Sequence, residues 1–133
     1  MRLFFILFFS MTILASCGGD KALEVVPLGE KAPLERLAEA YEAMSEQVVG
    51  NPRSLEPKER LRFVRFVFEK AGYDYSATLE ALSRIEPDPM NPHQRDLAEL
   101  LLLPHRASGW VDPKEVYGEA ERAWVTRIEA AFF

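Results

Sequence analysis

Residues 57–72 read PKERLRFVRFVFEKAG. The middle, Leu61 to Phe68, is apolar except for Arg62 and Arg65, and periodicity alone would allow a buried strand there. The flanks decide for helix. Lys58, Glu59 and Arg60 on one side, and Glu69, Lys70 and Ala71 on the other, are helix formers, and Gly72 is a terminator. The element is expected to start near Ser54 or Pro57. Phenylalanines at 63, 66 and 68 point in several directions, so this helix should be central and contacted on more than one side.

Outward from it the punctuation stays helical. Upstream, Pro33 suits a first turn, and Leu34, Leu37, Ala38, Tyr41, Met44 and Val48 recur at helical spacing until Gly50-Asn51-Pro52 stops the run. Downstream, a shorter helix is expected over Ser76 to Ile85, capped by Asp74 or Ser76, with Leu79, Leu82 and Ile85 inward. Glu86 to Pro92 holds three prolines and reads as a loop. A fourth helix opens at Asn91-Pro92, with Gln94 placed for a capping box. Leu97 and Leu100 to Leu103 make it apolar up to Pro104, which ends it or bends its last turn. His105 to Val111 reads as a loop carrying Trp110. A fifth helix is expected from Asp112-Pro113, with Glu115 completing a second capping box and Val116, Ala120, Ala123, Trp124, Ile128 and Ala131 inward. The fold class is therefore all-α: a single small bundle or orthogonal array of about five helices over residues 33–133.

The front of the chain is different. Arg2 is followed by an apolar run from Leu3 to Leu14, broken only by Ser10 and Thr12, and then by Leu14-Ala15-Ser16-Cys17. This stretch resembles the signal and lipobox of bacterial lipoprotein precursors. The resemblance implies cleavage between Ser16 and Cys17, a diacylglycerol on the Cys17 sulfur, and an acyl chain on the new amine. One acyl chain holds a protein marginally, whereas two or more make the attachment stable. Gly18 stands where an aspartate would signal inner-membrane retention in such families. The implied location is thus the periplasmic face of the outer membrane, if the source has two membranes. Residues 17–32 read as the lipidated cysteine and an extended, flexible tether. Val25 to Leu28 could lie against the domain surface without forming a strand.

Composition bounds the rest. The 133 residues carry 16 Lys and Arg against 21 Asp and Glu, a net charge of −5. Only Arg2 among these lies in the leader, so the mature chain would be slightly more acidic still. That balance disfavours nucleic acid and anionic lipid surfaces as partners. The length suits one domain with a real core. Cys17 is the only cysteine, so no disulfide can staple it.

No HExxH, GxSxG, glycine-rich phosphate loop or cysteine–histidine metal pattern occurs, so neither a catalytic residue nor a metal or other cofactor beyond the acyl groups is expected. His93 with Asp96 forms an i, i+3 pair at a helix start and reads as a solvated pair beside the first turn. Asp74, Glu86 and Asp88 read as turn residues. Charge is more suggestive. Glu35, Glu39, Glu42 and Glu46 make one acidic stripe on the first helix, and like charges at these spacings repel. A cationic partner would relieve them: the basic stripe Lys58, Arg62 and Arg65 of the second helix, or another protein. Among aromatics, Tyr73, Tyr75, Trp110, Trp124, Phe132 and Phe133 lie near helix ends or loops, where they close a small core or mark a binding patch. Trp110, Phe132 and Phe133 are the binding candidates.

Three functions are compatible with these residues. The leading one is a lipid-anchored, non-enzymatic envelope accessory factor that binds a protein through a helical groove or its charged face. In signal, size and helicity the chain is similar to the small helical lipoproteins that pilot secretion channels to the outer membrane. No motif carries that likeness, which stands as analogy. The alternatives are a carrier of a hydrophobic ligand in a helical cavity and an envelope hydrolase with a cleft around His93 or His105.

Overall fold

The computed structural model describes residues 22–48, 51–107 and 110–133. These residues form six α-helices and no strand: α1 Lys31–Ser45, α2 Pro57–Ala71, α3 Tyr75–Ser83, α4 Pro92–Leu101, α5 Leu103–Arg106 and α6 Glu119–Phe132. Single 3-10 turns at Pro52–Ser54 and Pro113–Glu115 precede α2 and α6. The expected signal and lipobox, with Ser16 and Cys17, lie outside the described residues.

The stretch that decides the fold is helical and central. α2 starts with Pro57 in its first turn and ends at Gly72, whose φ of 92° is left-handed. There the Gly72 N–H donates to Glu69 O and the Tyr73 N–H to Phe68 O, which satisfies two terminal carbonyls in a Schellman arrangement. Leu61, Phe63, Val64, Val67, Phe68 and Ala71 are buried. α2 packs chiefly on α1 and α5, while α3 packs chiefly on α6. Phe66 and Arg62 face solvent, so one side of α2 stays uncovered.

Three local expectations are corrected. Pro104 neither ends α4 nor bends it: α4 stops at Leu101, Leu102 adopts φ −94° and ψ 2°, and Pro104 then sits in the first turn of α5. A proline lacks the N–H that a first turn leaves unused, so it restarts a helix there. Part of the expected His105–Val111 loop is therefore helical. Gln94 builds no capping box. Its Oε1 accepts from the Asp88 N–H, and the Asn91 N–H goes to Asp88 O, while Asn91 Oδ1 caps α4 by accepting from His93 N. Finally, Asp112 caps only the 3-10 turn, through Lys114 N, and α6 begins after Gly118. Its inward line is Glu121, Val125 and Ile128, while Ala120, Ala123 and Ala131 are exposed. Val116 and Ile128 are buried as expected and Trp124 packs partly buried on the core, but the three alanines fall outside, because Val116 belongs to the turn and the helical register starts afresh at Gly118.

The outer part of the expected tether is docked. Glu24 forms an isolated bridge with Tyr73, its N–H donating to Gly72 O and its carbonyl accepting from Asp74 N. Val26 is 1% exposed, and its N–H donates to Thr78 Oγ1 at 3.1 Å. Gly29, at φ 84°, accepts from Asn91 Nδ2 at 3.0 Å, and a Cβ there would come within 2.6 Å of that nitrogen. This arm thus seals the core from Glu24 onward.

Candidate functional site

α1 carries the most telling surface. Its inner line, Pro33, Leu37 and Ala40, is buried. Arg36 fastens its middle to the end of α2, donating to Ala71 O at 2.8 Å and to Tyr73 Oη at 3.3 Å. Glu35, Glu39, Glu42 and Glu46 are all exposed. Lys31 pairs loosely with Glu35 at 3.9 Å. The basic stripe of α2 does not neutralise them: Arg65 turns to α6, where its Nη2 donates to both oxygens of Glu121, at 2.8 and 2.7 Å. Ser76 adds a third hydrogen bond to Glu121 at 2.6 Å, so this pair locks α2, α3 and α6 together.

Between α1 and α4 runs an open groove of about 610 Å³. Leu34, Leu37, Tyr41 and Leu100 give it an apolar lining, and Glu39, Glu42 and Asp96 stand in its walls. Tyr41 is set by an edge-on contact with Phe63, ring centroids 5.3 Å apart. Ser45 spends its hydroxyl on Tyr41 O and Glu42 O of its own helix. Polar groups left to address a ligand are therefore the carboxylates and the Tyr41 hydroxyl. Sequence reasoning singled out the acidic stripe of α1, of which Glu39 and Glu42 line this groove and Glu35 and Glu46 do not. It missed Asp96 and Leu100, whose i, i+4 spacing, one residue off the buried line Leu97–Leu101, was the available signal.

Other candidates fall elsewhere. Trp110 is 64% exposed and does not line the groove. Phe133 lies beneath two cations, Arg106 at 4.3 Å and Arg95 at 5.1 Å from its ring centre. Phe132 borders a separate hollow with Pro87, Pro89, Pro92 and Arg95.

The two histidines do not behave alike. His93 is half-buried near the start of α4. His105 is fully buried, Nδ1 2.9 Å from Tyr117 Oη and Nε2 3.3 Å from Glu129. Arg106 also holds Glu129, at 2.5 Å. A carboxylate engaged by Arg106 only accepts, so Nε2 carries the proton and Nδ1 accepts from the Tyr117 hydroxyl. Burial pushes the His105 pKa down, against the raising effect of Glu129. Burial likewise raises both Tyr117 and the neighbouring Tyr75. Both ring nitrogens of His105 are thus committed inside the protein, and the chain of bonds ties α5, the turn before α6 and α6 to one another. It reads as an internal strut, not as a base facing substrate.

Among the described residues no group of three or more His, Asp or Glu is placed to hold a metal ion. None of their helices is long and apolar enough to cross a membrane. Comparison with family models, with curated proteins and with solved structures finds no match for this chain.

Proposed function

We propose that this protein is a lipid-anchored, non-enzymatic accessory factor of the cell envelope that acts by binding another protein. The observation that carries the reading is the open apolar groove between α1 and α4 with the carboxylates of Glu39, Glu42 and Asp96 in its walls. Apolar floor with charged rim is the composition of a helix-accepting docking groove. The lipid anchor rests on the Leu14-Ala15-Ser16-Cys17 run, and the pilotin-like role remains analogy.

The docked arm gives the anchor a consequence. With Glu24 held at the domain, acylated Cys17 would leave seven peptide steps of slack. That is a reach of at most about 25 Å. A partner would then be met close to the membrane surface.

Two measurements test this. Cys17→Ser should accumulate as an unprocessed precursor, and maturation of that variant to the normal mass would refute lipidation. Cross-linking of the full-length protein in its native envelope should yield a stoichiometric protein partner. Failure to cross-link any protein, with a fatty acid found in the groove by native mass spectrometry, would replace the accessory role with that of a hydrophobic-ligand carrier.

A further inference from the structure

Resting on that reading, we infer that the α1–α4 groove accepts a cationic amphipathic helix of about three to four turns from its partner. Both walls are helices, and their backbone groups are spent within them, so no open strand edge exists for an extended peptide to extend. Recognition falls to side chains. The positions of α1 that line the groove run from Leu34 to Ser45, eleven residue steps. At helical rise this is about 16 Å, the length of three turns. An occupying helix would set apolar residues at i, i+3 or i+4, and i+7 over Leu34, Leu37, Tyr41 and Leu100.

Charge then chooses among amphipathic helices. Glu39 and Glu42 on one wall and Asp96 on the other have no ion-pair partner among the described residues. No Lys or Arg lines the groove. Glu35 and Glu46 extend the same negative face along α1. A helix flanked by Lys or Arg would relieve this repulsion on docking, whereas an acidic helix would add to it. The same field opposes binding of an anionic lipid headgroup. It also sets a fatty acid carboxylate beside carboxylates.

The test pans a displayed library of random peptides of about sixteen residues against the purified full-length protein in mild detergent. Enriched peptides should show apolar residues at helical spacing and an excess of Lys and Arg. They should bind about tenfold more weakly to the triple variant Glu39→Lys, Glu42→Lys, Asp96→Lys, and more weakly as salt rises. All three positions are exposed, and circular dichroism should show an unchanged fold. Enriched peptides that are neutral or acidic, or that keep full affinity for the triple variant, would overturn the assignment. So would a dimer in light scattering whose groove is closed by a second copy. A native partner that cross-links equally to the parent and the triple variant would remove the groove assignment yet leave the accessory role standing. Loss of any cross-linked partner from the parent itself would remove both.

Discussion

Arg60 directs its guanidinium at carbonyl oxygens. It is 2% exposed, and its Nε and Nη2 donate to Pro104 O while Nη1 donates to Arg53 O and Leu55 O. The planar fork with five donors can serve three carbonyls from two separate turns at once. Arg60→Met should cost about 3 kcal/mol, since carbonyls deprived of a buried donor carry the full penalty. Arg60→Lys should recover only a minor part. Chemical denaturation of the two variants would check this, and equal stability of Met, Lys and parent would contradict it. His105 makes a second prediction at this scale. Its folded pKa is depressed by burial, so the unfolded chain takes up a proton first as pH falls. Its stabilisation is complete above about pH 6.5 and is lost as pH drops through the folded pKa. His105→Gln should therefore flatten the stability profile below about pH 6.5. Parallel profiles for parent and variant, from urea melts at several pH values, would show that His105 does not contribute. Neither residue announced its role in the sequence. Arg60 read as a helix former and His105 as a loop residue, because Pro104 O, which takes two of the Arg60 bonds, and Glu129, which faces His105, lie 44 and 24 positions away.

Elements were far more legible than their ends. Helix α2 was readable because formers flank an apolar middle and Gly72 closes it. That glycine is required: at φ 92° a side chain is strained, although a Cβ would meet only Arg36 Nη2, at 3.5 Å. Gly72→Ala should thus cost about 1–2 kcal/mol from backbone strain alone. On a domain of this size that lowers the melting temperature by about 4–8 °C. A scanning-calorimetry result within error of the parent would show that the turn relaxes freely. The misread boundaries share one cause. Pro104, Gln94 and Asp112 each carry a valid local signal, but a cap or break has several local solutions of similar energy. Packing of Leu102, of the Gly29–Asn91 contact and of Val116–Tyr117 selects among them. The phase of α6 followed from that choice: once Val116 and Tyr117 are buried in the turn, Glu121, Val125 and Ile128 form the inner line.

At the scale of the whole molecule, the arm decides how the domain closes. Val26 fills the core from outside the helices, between a bridge at Glu24 and a clamp at Gly29. Val26→Ala should destabilise the domain by about 2 kcal/mol, the transfer of two methyl groups plus part of a cavity. The same melt that reads Gly72→Ala reads this variant, and an unchanged midpoint would mean the arm adheres without contributing. What the sequence determined by itself was the all-α class, the centrality of α2, the acidic stripe of α1 and the lipobox likeness, because periodicity, composition and short motifs are local properties. The tertiary structure alone decided that the arm is docked, that Arg65 answers Glu121 rather than α1, that His105 is sealed inside, and that α4 sets Asp96 and Leu100 opposite the acidic stripe. Those outcomes depend on which distant surfaces meet, and contacts between residues tens of positions apart leave no period in the chain.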